Sequence, residues 1–388
     1  MGDAELTAVV PVAVIGGGLA GLHAARLLHD AGVAFRLFEA RDRLGGRILS
    51  VDAEGHPAPD GFDLGPSWFW PEMHPGMAAR VEALGLHAFP QHDDGDALVE
   101  RSPARPPQRF PGFRQAPSSM RLAGGTAALV RAIAADLPED SIRLGAKVAG
   151  VACHGDGVCL TVRVADGREE IVAARQVIAA LPPRLLEAGI GFEPAFDPAT
   201  RLRWRETPTW MAPHAKFFAI YERPFWREAG LSGMGQSTVG PLAEIHDATT
   251  DSGAAALFGF LGLGPDARDR DGIAALSRAC LDQLARLFGA EAARPVATLL
   301  KDWATDPLTA TARDRHGGAH PMPGHGPWVS GAWTDCLSLA GSETGMTAPG
   351  YLAGALEAAE RAVADTLGRL AKGGPMALPV APALGTIA

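Results

Sequence analysis

The residues whose spacing points most clearly to chemistry are three glycines near the N-terminus, Gly16, Gly18 and Gly21. They form a Gly-x-Gly-x-x-Gly pattern directly after an apolar, β-branched run. In this pattern the first glycine permits a tight turn, the second lets the backbone approach a pyrophosphate, and the third lets helix and strand pack closely. We assign Leu19 and Ala20, which complete the turn, to the same site. The spacing therefore predicts a bound dinucleotide.

An acidic residue, Glu39, stands 18 residues beyond Gly21, where the next predicted strand ends. A carboxylate at this place accepts both ribose hydroxyls and disfavours a 2′-phosphate. NAD and FAD therefore remain as candidates, and NADP is disfavoured. The alternative, a glycine-rich turn that binds no ligand, does not account for the strand, the helix and the acid together.

The segment that begins at Glu39 favours FAD over NAD. A second glycine pair with a guanidinium beside it, Gly45-Gly46-Arg47, suits a longer cofactor that lies extended across the domain. Arg41 and Arg47 are predicted to clamp phosphate oxygens, because the planar guanidinium pairs well with anionic oxygens. A surface salt bridge remains the alternative for each arginine. The residues of this segment assigned to the cofactor are Ala40, Arg41, Gly45, Gly46 and Arg47.

A βαβ unit has to position these residues. Residues 9–15 predict a buried parallel strand, residues 19–31 a helix that ends before Gly32, and residues 33–39 a second strand. Further strands are predicted at 216–221 and 254–261, and further helices at 76–84, 126–137, 273–288 and 350–370.

The predicted fold class is α/β. A discontinuous, Rossmann-like FAD-binding domain is combined with an interleaved α+β substrate domain of mixed sheet and helices. The FAD-binding domain is predicted at residues 1–71, 119–185 and 303–372, the substrate domain at 72–118 and 186–302, and a loose C-terminal tail at 373–388.

Beyond these motifs, the chain resembles the flavin-containing amine oxidase superfamily, which includes monoamine oxidases, polyamine oxidases, L-amino-acid oxidases and phytoene-desaturase-like enzymes. The matching stretches follow the family's order over nearly the whole chain: 13–48, 63–68, 124–125, 177–183, 216–226 and 339–363. By this resemblance the cofactor site also takes Leu64, Gly65, Pro66, Ser67, Val148 and Trp303.

The segment 339–355 resembles the family's closing flavin motif. The resemblance implies that Gly341 and Glu343 belong to the cofactor site, with Glu343 near the ribityl-pyrophosphate region. It also implies that Gly350, Tyr351 and Leu352 begin a helix whose positive end faces the N1/O2 edge of the flavin. A helix N-terminus there stabilises the negative charge of the reduced flavin.

Two residues are expected to be catalytic. Lys216 opens a segment that resembles the one in which monoamine oxidases carry the lysine that holds a water at flavin N5. A buried ammonium needs a partner, and the alternative is a lysine that snorkels at a strand start. Tyr351 remains from the family's two-aromatic substrate cage, because the segment 306–313 lacks the other tyrosine. The candidates for a second wall are Trp68, Tyr221 and Trp333, each of which has a core position as its alternative.

The activity implied by the resemblance is amine oxidation: hydride passes from the amine α-carbon to flavin N5, the imine hydrolyses, and oxygen reoxidises the flavin to give peroxide. The segment 306–313 has no cysteine where some relatives attach flavin covalently, so we expect non-covalent FAD. A carbon-carbon desaturase of the same superfamily is the alternative enzyme, and peroxide release with amines would distinguish the two. A non-catalytic carrier on this fold is the alternative of another class, and the intact glycines with Glu39 argue against it.

Composition excludes several classes of partner. The formal net charge is −9, which gives no support for nucleic-acid or anionic-membrane binding. No apolar stretch is long enough to span a bilayer and the N-terminus lacks a basic n-region, so we expect a cytoplasmic protein. The four cysteines lack metal-ligand spacing and are expected to be buried free thiols, with no metal bound. We expect an amine as substrate and molecular oxygen as acceptor, and the sequence is compatible with a homodimer.

Overall fold

The computed structural model describes residues 6–112, 115–154, 157–317, 319–324 and 326–372. The predicted tail at 373–388 lies outside these ranges. The chain divides into two compact units, which are described separately. The first unit consists of Met1–Gly46, Ala132–Trp210 and Ala319–Ala388, and the second of Arg47–Arg131 and Met211–Gly318.

The strands in chain order are β1 (Leu6–Ile15), β2 (Phe35–Phe38), β3 (Ser50–Val51), β4 (Phe62–Asp63), β5 (Ala88–Pro90), β6 (Asp96–Glu100), β7 (Gln108–Phe110), β8 (Met120–Leu122), β9 (Ile142–Arg143), β10 (Ala146–His154), β11 (Gly157–Val164), β12 (Glu169–Ala179), β13 (Gly191–Glu193), β14 (Ala215–Tyr221), β15 (Leu231–Ser237), β16 (Leu242–Asp247), β17 (Ala255–Leu261), β18 (Ala297–Asp302) and β19 (Leu337–Leu339).

The α-helices are α1 (Leu19–Asp30), α2 (Pro75–Ala83), α3 (Ala127–Ala134), α4 (Pro183–Gly189), α5 (Pro198–Glu206), α6 (Phe225–Glu228), α7 (Pro265–Asp271), α8 (Ile273–Phe288) and α9 (Leu352–Lys372). Short 3-10 helices occur at Glu139–Ser141, Ala290–Ala293, Trp303–Thr305, Ala312–His316, Gly331–Asp335 and Ser342–Thr344.

The first unit is built on one mixed sheet with the strand order β13-β10-β11-β12-β1-β2-β9, and β19 pairs with the end of β12. Strand β1 pairs in parallel with both β2 and β12, and β12 pairs in parallel with β19. Parallel strands bring their carboxyl ends to the same edge of the sheet, which is where ligands bind in open α/β sheets. The residues at positions 12–15, which form the carboxyl half of β1, are buried, as the apolar run predicts, whereas positions 9–11 are partly exposed.

The predicted βαβ unit is present, with β1, α1 and β2 at the expected places. The closing helix α9 begins at Leu352 rather than at Gly350. The reason is local: Gly350 has a φ of +82°, which a helical residue does not adopt.

The second unit contains a larger sheet with the order β18-β14-β17-β16-β15-β6-β7. All neighbouring strands in this sheet pair antiparallel, with one exception: β15 and β6 are parallel to each other. Strand β14 is buried along its whole length, so both of its faces are covered. Alternate residues of β14 pack with apolar residues of α8, and the intervening ones pack with the short β3–β4 hairpin. The predicted helix at 273–288 matches α8 at both ends.

The boundaries of the units differ from the predicted domains. Residues 47–71, 119–131 and 303–318 were assigned to the FAD-binding domain and group with the second unit. Their polar groups explain this grouping, because Trp303 and Lys216 both donate hydrogen bonds to the loop that follows β4. Residues 186–210 group instead with the first unit, where β13 extends the sheet beside β10.

In the portion of the chain that the structure describes, no helix is both long enough and apolar enough to cross a membrane. Over the same residues there is no cluster of three or more His, Cys, Asp or Glu side chains arranged to hold a metal ion.

Candidate active site

Two of the three glycines in the first turn are required by the fold itself. Gly16 has a φ of +102°, and a Cβ there would lie 2.8 Å from the Leu181 side chain. A Cβ on Gly21 would lie 1.8 Å from the carbonyl oxygen of Gly16, which no side chain can tolerate. These two glycines therefore close the turn and pack α1 onto β1, as the sequence pattern predicts.

Gly18 is different, because neither its backbone angles nor its contacts with the described residues require a glycine. Its φ of −75° and ψ of −177° are open to any residue. A Cβ there would have no neighbour nearer than the carbonyl oxygen of Gly45 at 3.9 Å. Gly18 also caps α1 without a side-chain hydrogen bond, so the N-cap residue itself leaves the first amides of the helix open to a ligand. Open space before a helix N-terminus is what a pyrophosphate needs, and the turn fits the predicted dinucleotide.

Glu39 is fixed at the carboxyl end of β2 by two backbone amides. Its Oε2 accepts a hydrogen bond from Gly17 N at 2.6 Å, and its Oε1 accepts one from Arg41 N at 2.8 Å. Each carboxylate oxygen has a further lone pair, so these bonds leave capacity for ribose hydroxyls. The guanidinium of Arg41 lies 3.8 Å from the same carboxylate, so Arg41 can form a salt bridge with Glu39. The predicted contact of Arg41 with a phosphate stays a prediction.

The second glycine pair lies against the first turn. Gly45 N donates to Gly17 O at 2.8 Å, and Gly45 forms an isolated parallel bridge with Gly18. A Cβ on Gly46, whose φ is +58°, would lie 3.3 Å from the Cα of Gly18. Arg43 holds the loop by donating to the carbonyl of Gly46. The two glycine segments therefore form one cradle of backbone.

The closing motif reaches the same edge of the sheet. Ala340 N donates to Ala179 O at 2.8 Å, and a Cβ on Gly341 would lie 2.2 Å from the carbonyl oxygen of Leu181. Glu343 is completely buried and accepts hydrogen bonds from Ser342 Oγ and from the backbone N of Trp210. The predicted contact of Glu343 with the cofactor stays a prediction. Its visible role is to fix the backbone at Trp210.

Three aromatic rings gather beside Gly350. A Cβ on Gly350 would lie 2.8 Å from the Cβ of Trp210, so the chain before α9 is pressed against this side chain. The rings of Trp210 and His320 are 4.4 Å apart, and those of His320 and Tyr351 are 5.0 Å apart. Sequence reasoning identified Tyr351 and missed the other two. No local pattern links Trp210 and His320 to Tyr351, because the three rings come from separate segments of the chain.

Lys216, on β14 of the second unit, is buried and does not snorkel. Its Nζ donates to Asp63 O at 3.1 Å, Gly65 O at 2.5 Å and Ser67 Oγ at 2.8 Å. It also lies 4.7 Å from the ring centre of Phe258. Burial lowers the pKa of Lys216 to about 7, while the charge of Asp63 opposes this shift. The amine can therefore exchange a proton near neutral pH.

Asp63 anchors the loop that Lys216 contacts. Its Oδ1 accepts hydrogen bonds from Ser50 Oγ, Thr126 N and Thr126 Oγ1, at 2.6 to 2.9 Å. Burial raises the pKa of the Asp63 carboxyl, partly offset by the hydrogen bond from Ser50. Gly125 has to be glycine here, because a Cβ would lie 2.5 Å from Ser50 Oγ.

The loop 64–68 is held from several sides within the second unit. Trp303 Nε1 donates to Leu64 O at 2.9 Å, and a Cβ on Gly65 would lie 2.0 Å from Arg47 O. Trp68 is half-buried, and its Nε1 donates to Gln91 Oε1 at 2.7 Å. The ring of Trp68 also packs against His246, Phe258 and Phe260. His246 and Gln91 are polar neighbours that the sequence analysis did not identify.

Two proposed pocket residues lie in hydrophobic cores instead. The Tyr221 ring packs against Phe225 and Trp226, and its hydroxyl donates to Ala292 O. Trp333 stacks on Phe196 in the core of the first unit, and its Nε1 also has a backbone acceptor. Both aromatic side chains are almost fully buried. These contacts match the core alternative that the sequence left open for both residues, and their assignment to a substrate pocket stays a prediction.

Val148 is a buried residue of β10, and its predicted contact with the cofactor stays a prediction. It lies two residues beyond Ala146, whose backbone N donates to the carbonyl of Glu39. The strand is therefore close to the residue predicted to bind ribose.

Comparison with known proteins matches the model of one family, flavin containing amine oxidoreductase, over residues 19–117 and 100–367. Putrescine oxidase of Kocuria rosea is 26% identical over 486 aligned residues, covering 92% of this chain and 95% of the relative. A putrescine oxidase structure bound to putrescine gives a TM-score of 0.76 at 21% identity, covering 93% and 100% of the two chains. Cyclohexylamine oxidase from Brevibacterium oxydans gives 0.72 at 22%, with 93% and 99% covered. At these identities the structural likeness establishes the fold, and it confirms the predicted fold class.

Proposed function

Because the chain belongs to the flavin-containing amine oxidoreductases and is thus an FAD-dependent oxidoreductase, we propose that it oxidises an aliphatic primary amine to an imine. The observation that carries this proposal is the buried Lys216, whose three hydrogen bonds all go to the loop of residues 63–67. Relatives named for putrescine and cyclohexylamine oxidation support an amine as the substrate.

The first unit supplies the residues proposed to hold the cofactor. Gly18 and the uncapped start of α1 would face the pyrophosphate, and Glu39 would accept the ribose hydroxyls. When bound, FAD supplies the two-electron acceptor for the α-C–H bond of the amine, and oxygen regenerates it with release of peroxide. We propose that FAD is held without a covalent bond, because the segment 306–313 offers no cysteine.

Lys216 is proposed to handle a proton during this reaction. With a pKa near 7, its Nζ alternates between an ammonium that donates three hydrogen bonds and an amine with a free lone pair. In the amine form it can hold a water and accept its proton. We propose that this water serves the oxidative half of the reaction or the hydrolysis of the imine.

Tyr351 is proposed to contact the substrate. Its ring lies beside His320 and Trp210, which together present an apolar, π-rich surface. Such a surface suits the alkyl part of a neutral amine. The proposal adds Trp210 and His320, which the sequence analysis did not name, as aromatic neighbours of Tyr351.

A peroxide-coupled screen of the purified protein tests this function. Primary amines, diamines, polyamines and amino acids are offered, with polyenes and cyclic alkenes as the contrasting group. We expect peroxide from at least one primary amine or diamine. A yellow protein that releases no peroxide with any amine, and whose flavin is reduced by a cyclic alkene, would replace the proposal by the desaturase alternative. A colourless protein that cannot be reconstituted with FAD would contradict catalysis altogether.

A further inference from the structure

Two cysteines that are far apart in the sequence meet in the first unit. Cys153 lies on β10, Cys336 directly precedes β19, and their Sγ atoms are 3.6 Å apart. Both thiols also lie near the carbonyl oxygen of Ala332, at 3.9 and 3.7 Å. The sequence analysis treated all four cysteines as isolated thiols, since 183 residues separate these two.

The backbone holds both cysteines in place. Cys153 is paired with Val158 in the β10–β11 ladder. The carbonyl of Cys336 accepts a hydrogen bond from Val177 N at 2.8 Å. A disulfide needs an S–S distance of about 2.05 Å. At 3.6 Å the two sulfurs are in van der Waals contact, so an approach of about 1.5 Å remains before the bond can form.

The two thiols differ in access. Cys153 is partly exposed, whereas Cys336 is buried. Burial and the neighbouring Cys153 raise the pKa of Cys336 to about 12. An oxidant from solution therefore meets Cys153 first, and Cys336 lies in the position of a resolving thiol.

We propose that Cys153 and Cys336 are a modification site at which hydrogen peroxide forms a disulfide. The Cys153 thiolate attacks one peroxide oxygen, the O–O bond breaks, and the departing hydroxide takes up a proton to become water. The sulfur of Cys336 then attacks the resulting sulfenic acid, the S–O bond breaks, and hydroxide leaves with the Cys336 proton as a second water. In sum, two thiols and one peroxide give one disulfide and two waters.

The location gives this site a structural consequence. The new bond would join β10 to the residue at which the chain enters β19, the strand that leads to the closing motif at Gly341. Peroxide is also the product of the proposed oxidase reaction. The modification itself does not depend on that reaction, because peroxide from any source would serve.

The test uses reduced, FAD-loaded protein treated with added hydrogen peroxide. We expect free thiols to fall from four to two, the intact mass to fall by two hydrogen atoms, and peptide mapping to find Cys153 linked to Cys336. Cys153→Ser is expected to abolish the cross-link. Cys336→Ser is expected to stop the reaction at a sulfenic acid on Cys153, which dimedone traps. Cys280→Ser, which removes a buried thiol of the second unit, serves as the matched control and should still form the bond.

Several results would overturn the proposal. One is a wild-type protein that keeps all of its thiols, or is oxidised beyond sulfenic acid at Cys153 without forming a cross-link. Another is a cross-link that uses Cys159 or Cys280. Because peroxide is added as a reagent and the readout is mass, none of these outcomes depends on whether the protein oxidises amines.

Discussion

Lys216 donates a 2.5 Å hydrogen bond to the carbonyl oxygen of Gly65, which lies 151 residues earlier in the chain. This bond ties β14, the strand next to the β18 edge of the second sheet, to the loop 64–68. The loop that accepts this bond is itself held in place. Gly65 packs closely against the backbone of Arg47, and the carbonyl of Leu64 accepts a hydrogen bond from Trp303. The amine is therefore positioned before any substrate arrives.

Replacing this amine should reduce catalysis while leaving the cofactor bound. We expect Lys216→Met to lower the rate of amine oxidation by about 100-fold or more, the usual effect of removing a proton-transfer group. Lys301→Met is the matched control, because Lys301 is the residue paired with Lys216 on the adjacent strand but is partly exposed. Steady-state peroxide release and the flavin absorbance of both variants provide the measurement. Equal rates for the two variants would rule out a catalytic role for Lys216.

The lowered pKa of Lys216 predicts how stability changes with pH. In the unfolded chain the amine keeps its ordinary pKa of 10.5, whereas in the folded protein it releases its proton near pH 7. Between these values the unfolded state binds more protons, so the free energy of unfolding rises with pH, by up to about 1.4 kcal/mol per unit. Below pH 7 both states are charged and this contribution no longer varies.

Denaturant unfolding of FAD-loaded protein at pH 7, 8 and 9 tests this dependence. We expect the free energy of unfolding of the wild type to increase relative to that of Lys216→Met across the series, because the variant lacks the titrating amine. Parallel curves for the two proteins would mean that Lys216 stays charged throughout. The comparison cancels the titration of all other groups that the two proteins share.

Substitutions at two glycines of the turn should have different effects, one on FAD affinity and the other on stability. Gly18→Ala places its methyl group where the nearest atom of the described residues is 3.9 Å away, so the FAD-free protein should keep its thermal stability within about 2 °C. Its affinity for FAD should nevertheless fall at least about tenfold, because the methyl group occupies the space meant for phosphate. Gly21→Ala should instead destabilise the protein by about 3 kcal/mol, since its Cβ meets Gly16 O at 1.8 Å. Thermal unfolding and FAD titration together separate these effects, and loss of stability in Gly18→Ala would contradict the ligand-facing role.

Glu39 should control how tightly the cofactor is held. Hydrogen bonds to a charged acceptor contribute about 1.5 to 3 kcal/mol each, so Glu39→Ala should weaken FAD binding by about 10- to 100-fold. Glu39→Gln keeps one acceptor oxygen and should have an intermediate affinity. The exposed Glu139 of the same unit offers a control, Glu139→Ala, which should bind FAD normally. Fluorescence titration of released and rebound flavin measures all four proteins, and an unchanged affinity in Glu39→Ala would exclude the ribose contact.

What could be predicted from the sequence depended on how local the signal was. The glycine turn, Glu39 and helix α8 were all recognisable, because each is specified by residues within a few turns of chain; α8, for example, lies between Gly272 and Gly289. The contact of Lys216 with Gly65, the approach of Cys153 to Cys336 and the rings around Tyr351 join segments more than 100 residues apart or from separate loops. No periodicity marks such contacts. Aromatic residues occur in cores as well as in pockets, which is why the sequence left both alternatives open for Trp333 and Tyr221.

The chain contains two tyrosines, and the structure gives them different tasks. Tyr351 is partly exposed and lies beside His320, whereas Tyr221 belongs to a hydrophobic core and its hydroxyl donates to Ala292 O at 2.9 Å. We expect Tyr351→Ala to lower kcat/KM for the best amine by about 10- to 100-fold, while Tyr351→Phe, which keeps the ring, stays within about threefold of the wild type. Tyr221→Phe should leave kcat/KM unchanged and lower the free energy of unfolding by about 1 kcal/mol, because it removes a buried hydrogen bond. Kinetics and denaturant unfolding of the three variants distinguish the roles. A kinetic defect in Tyr221→Phe together with normal kinetics in Tyr351→Ala would reverse the assignment, because it would mean that the substrate meets the ring we place in the core.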